Sequence, residues 1–201
     1  MFSFADRMNV QFDNTAEKKC AIFGSTLRLV RAHGFHGSPI SQIAQEAGVA
    51  TGTIYHYFSS KDELILELFW HCKHKIVKSM FKDEEAQLPY PQRFVTIWTN
   101  LVRFYIDHPA VLSFMEQFFS SPYATSIFGK GSGVQMQDEM SRFLKQGIDK
   151  GYVKPLDINI LSAAFIGTVT AAAKRHISGH YSFDEHAMHE MVAIIWDGIK
   201  K

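Results

Sequence analysis

The architecture turns on SQIAQEAGVATGTIYHYFSSKDEL, residues 41–64. With Ile40 just ahead of it, Ile40, Ile43, Ala44 and Ala47 recur at three and four, which predicts one buried stripe on a short helix that must stop at Gly48. Pro39 suits the first helical position and Ser38 reads as its cap. After the four-residue stretch Gly48-Val49-Ala50-Thr51, a second short helix holds Thr53 to Phe58. Two brief helices joined by a tight glycine turn form a helix-turn-helix. Ile40, Ile43, Ala44, Ala47, Val49, Ile54 and Phe58 make its inward side, leaving Thr51, Thr53, Tyr55 and His56 outward. Ser60 and Glu63, at capping-box spacing, then open a longer helix reaching about Phe81, with Leu64, Leu68 and Cys72 along one side.

In such a pair the first helix braces the second, and the second puts its N-terminal residues into a major groove about 12 Å wide, where base edges differ. Threonine hydroxyls can bond base edges and their methyls can touch thymine, while tyrosine and histidine can donate to phosphates. Gly52 lets the backbone approach closely, and Lys61 sets a cation beside the first amides of the next helix.

Working outward, Asn14 and Glu17 read as a capping pair opening a helix over 14–33, with Ile22, Phe23, Thr26, Leu27 and Val30 as its stripe and Gly34 as its end. The charged stretch from Asp83 to Gln87 and the break at Leu88-Pro89-Tyr90-Pro91 separate segments. Helices follow over 91–107 and from Pro109, then a loop from Ser120 to Gly133, a helix from Val134 to Lys150, and two more over about 156–178 and 184–199. Strand-like alternation is almost absent.

The chain has 201 residues, 46% apolar and 20% charged, a globular balance. Lys+Arg at 21 against Asp+Glu at 20 gives +1, which excludes a basic whole-chain coat for nucleic acid. Cys20 and Cys72 are far apart, so no disulfide framework is indicated. The first ten residues lack a secretion pattern, and the uncharged run Ile158 to Ala173 is interrupted by Asn159, Ser162, Thr168 and Thr170, so a cytoplasmic protein without a membrane span is expected. His186 and His189 could share a metal, but solvated histidines are ordinary in such surroundings; no metal and no cofactor are expected. No Gly-x-Ser-x-Gly, phosphate-cradling glycine loop or His-Glu-x-x-His occurs, and no catalytic residue is named.

The segment from about residue 16 to 66 resembles the DNA-binding domain of the TetR family of bacterial transcriptional repressors. Ile43-Ala44, Ala47-Gly48-Val49, Gly52 to Phe58 and Ser60-Lys61 carry the resemblance in order and spacing. It implies an all-α fold: an N-terminal three-helix helix-turn-helix DNA-binding domain, 1–66, and a larger C-terminal helical ligand-binding and dimerisation domain, 67–201. It also implies that Tyr55, His56 and Lys61 contact phosphates and Thr51 and Thr53 face bases. With Ser41, Gln42 and Gly52 these complete the DNA-facing set. Ser41 and Thr51 stand where many relatives carry a basic residue, so modest non-specific affinity is expected.

The implied function is a ligand-responsive repressor that binds a palindromic operator as a homodimer. Two copies are needed because one short helix reaches few base pairs, and paired recognition helices lie about 34–36 Å apart. The last two helices are the expected dimer surface, with Phe165, Thr168, Ala172, Met188, Val192, Ile195 and Trp196 named for it. Aromatics crowd between Tyr90 and Phe128. Trp98, Tyr105, Phe114, Phe118 and Tyr123, with Phe165, are the expected lining of a pocket for a small apolar or aromatic ligand. That ligand would displace the helix after Lys61 and change the spacing of the recognition helices. The competing classes are a small helical enzyme and a protein-interaction adaptor, which lack DNA affinity at low salt.

Overall fold

A computed structural model describes residues 4–129 and 139–201. Its helices run α1 Phe4–His33, α2 Ile40–Ala47, α3 Thr51–Tyr57, α4 Lys61–Met80, α5 Tyr90–Asp107, α6 Pro109–Phe119, α7 Pro122–Phe128, α8 Glu139–Asp149, α9 Ile158–Ile177 and α10 Glu185–Ile199. Among the described residues there is no strand, only an isolated bridge between Val153 and Lys200 and a single 3-10 turn at Asp83–Glu85. The fold is all-α, as expected.

The chain divides into two compact units. One comprises residues up to His71 together with Ser113–Thr125; the other comprises Cys72–Leu112 and Ser126–Lys201. Three helices, α4, α6 and α7, therefore pass from one unit to the other along the chain. The first unit takes in a segment from beyond residue 66 that local sequence patterns do not assign to it.

In the first unit, α1 buries Ile22, Phe23, Leu29 and Val30 and ends at Gly34, whose φ of 69° is the left-handed conformation that glycine adopts without a Cβ clash. Ile40, Ile43 and Ala44 of α2, Ile54 and Phe58 around α3, and Leu64, Ile65, Leu68 and Phe69 of α4 complete the core. The segment Ser113–Thr125 closes it. Phe118 stacks on Phe69 with ring centroids 4.1 Å apart, and Phe35 sets its edge on Phe114 and Tyr123. Gln117 Nε2 donates to the Val30 carbonyl at 3.0 Å, beside the bond that this carbonyl accepts from the Gly34 amide at 2.9 Å.

In the second unit, α5 is the central helix. Phe94, Ile97, Trp98, Leu101, Val102 and Tyr105 are buried along it, against α9 and α10. Trp98 Nε1 donates to Thr168 Oγ1 at 3.1 Å, so the indole is buried with its donor satisfied. Tyr90 is sandwiched between Phe143 at 4.6 Å and Tyr152 at 5.1 Å, and its hydroxyl donates to the Phe143 carbonyl.

Three local expectations change. The first helix does not start at Asn14 but extends back to Phe4, so Asn14 lies within the helix. Ser38 is not the cap of α2: Pro39 holds the N-cap position, and the buried Ser38 hydroxyl donates instead to the Gly34 carbonyl at 2.7 Å. Residues 122–128 are helical rather than loop, because Pro122 sets the first turn and Ser121 Oγ accepts from the Tyr123 amide. The helix expected from Val134 is seen from Glu139 onward; Val134 and the glycine run beyond Gly129 lie outside the described residues.

Candidate nucleic-acid interface

The turn between α2 and α3 is built from one left-handed residue and one extended one. Gly48, at φ 67°, sends its amide back to the Ala44 and Gln45 carbonyls, and Ala50 is extended, so α3 restarts at Thr51. Ile54 is completely buried and Phe58 nearly so. Those two anchors fix which way α3 faces: Thr51, Gly52, Tyr55 and His56 are exposed, while Thr53 and Tyr57 are half-buried. Tyr55 is 53% exposed. Ser41 and Gln42, at the start of α2, are exposed as well. A Cβ built on Gly52 would meet no heavy atom within 4 Å.

Charge on this surface is sparse. Within α2 the one carboxylate is Glu46, which Arg28 neutralises from α1 while also bonding Ser25. Sequence spacing missed this pairing, since the two residues lie on different helices. Lys19 is also committed: it bonds Glu67 at 2.6 Å and lies 5.1 Å over the Phe58 ring.

At the start of α4, Ser60 Oγ accepts from the Glu63 amide at 3.1 Å, the expected half of the capping box. The other half differs: the Glu63 carboxylate turns to Ser59, accepting from both its amide and its hydroxyl, and these bonds hold it below the usual carboxylate range. Lys61 is half-buried and its Nζ donates to the Phe35 carbonyl. Burial lowers its pKa, and neighbouring Asp62 opposes this. An ammonium has three donors, so this bond orients the lysine and leaves two N–H groups for a phosphate. Tyr123 donates to Asp62 at 2.8 Å, and burial, then the Asp62 carboxylate, pushes its hydroxyl up to about 12.

The residues expected to line a ligand pocket are shared between the two units. Phe114, Phe118 and Tyr123 belong to the first unit; Trp98, Tyr105 and Phe165 belong to the second. Of the six, only Tyr123 is not fully buried, and Phe114, Phe118, Trp98 and Phe165 are packed core with at most 1% exposure. Periodicity marks an apolar face without saying whether another side chain or a ligand covers it. The residues expected at the dimer surface have partners within the chain itself. Phe165, Ala172, Met188, Val192 and Ile195 are buried within the single chain, Thr168 is held by Trp98, and Trp196 packs on Phe94 at 5.1 Å. The outward positions are Ile160, Ala163, Ala164, Gly167 and Ala171 on α9 and Ala193, Ile194 and Gly198 on α10. Ile160 is 63% and Ile194 70% exposed.

Among the described residues no group of three or more His, Cys, Asp or Glu could hold a metal, and no helix is long and apolar enough to cross a membrane.

Residues 22–68 match the family model of bacterial regulatory proteins, tetR family, and residues 89–200 match the tetracyclin repressor-like C-terminal domain. An uncharacterised HTH-type transcriptional regulator of Haemophilus influenzae is 33% identical over 101 residues, about half of each protein: 50% of this chain and 54% of that one. The fatty acid metabolism regulator protein of Bacillus subtilis is 21% identical over 188 residues, covering 87% of this chain and 91% of the relative. The structure of a putative TetR family transcriptional regulator from Vibrio parahaemolyticus superposes with a TM-score of 0.75 at 29% identity, covering 92% of this chain and 99% of that one. A TetR family regulator from Marinobacter aquaeolei reaches 0.81 at 19% identity over 95% and 98%, a likeness of fold. With both halves matched in order, the chain belongs to the TetR family of bacterial regulatory proteins and is a DNA-binding transcriptional regulator.

Proposed function

We propose that the protein is a homodimeric repressor that binds a palindromic operator and is released by a small apolar or aromatic molecule. Residues 1–66 bind DNA, and residues 67–201 bind effector and partner chain. The observation that carries the reading is the division of α3: Ile54 and Phe58 are buried, and Thr51, Gly52, Tyr55 and His56 are free to meet a duplex. Thr51 and Thr53 read bases; Tyr55, His56 and Lys61 hold phosphates; Ser41 and Gln42 flank them from α2.

Dimerisation uses the outward stripe of α9 with Ile194 of α10. Ile160, Ala164, Gly167 and Ala171 repeat at four, three and four, and a Cβ on Gly167 would meet nothing within 4 Å, so a partner helix can approach closely. The two-fold axis this generates requires an inverted-repeat operator.

Duplexes selected by the protein from a randomised pool test the reading. The expected product is an inverted repeat whose half-sites are one helical turn, or a multiple, apart. Thr53→Ala changes the bases selected, while Lys61→Ala weakens all sequences evenly and lowers the salt slope by about 0.9. Ile194→Glu yields monomers in sedimentation and loses the repeat. Absence of DNA affinity at low salt, or selection of a lone asymmetric site, refutes the proposal.

A further inference from the structure

The second unit carries an open cleft of about 360 Å³ lined by Phe81, Arg93, Glu139, Arg142, Phe143 and Gln146. Its volume is at the low end for small-molecule pockets, about 300–1,000 Å³. A cavity of about 10 Å³, bounded by Met80, Lys82, Glu85 and Ile97, adjoins it through Phe81 and Arg93, which line both. The charges of this lining do not cancel. Glu139 is paired with Arg142 at 3.0 Å. Glu85 accepts from the buried Asn100 amide at 2.9 Å and faces Lys82 at 3.7 Å. Three cations therefore meet two carboxylates, both engaged, and the unmatched charge is Arg93, which has no carboxylate partner among the described residues.

The Arg93 guanidinium lies over the Phe143 ring, 5.3 Å from its centroid, and Phe81 sets its edge against the same ring at 6.0 Å. A guanidinium is planar and carries its N–H groups as a fork in that plane, and that fork matches the two oxygens of a carboxylate. Half-burial raises the cost of leaving this cation unpaired, so the site favours an anion over a neutral or cationic occupant. The walls beside the fork are aromatic.

We propose that this cleft binds a small aromatic carboxylate, with Arg93 taking the carboxylate and the half-buried Phe81 meeting the ring. The inference rests on the reading of the chain as a ligand-responsive regulator, and it moves the ligand away from the aromatics named from sequence. Naphthoate and its neutral analogue naphthylmethanol, titrated calorimetrically into the full chain, test it. Naphthoate binds at least about tenfold more tightly than the alcohol; Arg93→Gln removes that difference, and Arg93→Lys retains part of it. Arg142→Gln, which loses a cation already paired, changes naphthoate affinity far less. Thermal unfolding of each variant separates lost binding from lost fold. Failure of naphthoate to bind the folded wild type at millimolar concentration, equal binding of acid and alcohol, or unchanged naphthoate affinity in folded Arg93→Gln overturns the site. Operator affinity, measured in the same titrations, judges the other reading. Naphthoate bound through Arg93 without any change in operator affinity upholds the cleft and refutes ligand-controlled release.

Discussion

Gly52→Ala should make the protein more stable and a poorer DNA binder. Gly52 is the second residue of α3, it is exposed, and it is not among the glycines with positive φ, so alanine fits its backbone without strain. The added Cβ meets no heavy atom within 4 Å, which leaves only the entropy glycine would lose on folding. Helix propensity then favours alanine by about 0.5–1 kcal/mol, which raises the thermal midpoint by roughly 1–4 °C in a chain of this size. On the DNA side the same methyl projects from the surface between Thr51 and Thr53. A packed groove interface tolerates extra volume no better than a core does, at about 1–3 kcal/mol, or roughly a 5- to 150-fold loss at about tenfold per 1.4 kcal/mol. Calorimetric unfolding and fluorescence anisotropy with the selected duplex read the two effects on one preparation. A variant that is more stable and binds within about twofold of wild type refutes the claim that the start of α3 lies close against DNA.

Gly48→Ala separates strain from crowding: a Cβ there also meets nothing within 4 Å, yet φ is 67°, so unfolding measurements should show a loss of about 1–2 kcal/mol. Gly147→Ala acts oppositely. Its backbone is not left-handed, but the new Cβ would run into the Tyr90 hydroxyl and lie 2.8 Å from Val153, so a cost of about 1–3 kcal/mol should appear in thermal unfolding, with the near-ultraviolet signal of Tyr90 altered. Alkylation of the native protein should modify exposed Cys20 and spare buried Cys72; equal labelling would show that α4 opens. Burial pushes the Cys72 thiol up to about 12, so the unfolded chain releases this proton first. Its contribution to stability is present below the ordinary value of 9.0 and is lost as pH rises from there toward 12, which a pH series of denaturant titrations checks.

The residues that sequence alone determined are those whose signal is local. Gly34 and Gly48 end helices because a left-handed residue is needed within the same turn, and Ile54 and Phe58 face inward because they are the large apolar residues of a seven-residue helix and its C-cap otherwise made of small or polar-tipped side chains. The outward set on α3 follows from those two anchors. Where a helix is apolar on every side, the pattern cannot choose. Around α9, Leu161, Phe165, Val169 and Ala172 turn inward while Ile160, Ala164, Ile166 and Ala171 turn outward, and hydrophobicity is nearly the same on both. Tertiary packing made that choice, through the fit of Phe165 on Phe94 and the bond from Trp98 to Thr168. It also drew Ser113–Thr125 into the first unit and set Arg93 over Phe143 with no carboxylate partner among the described residues. Contacts between residues this far apart depend on where the chain returns in space, and no window of sequence holds both partners.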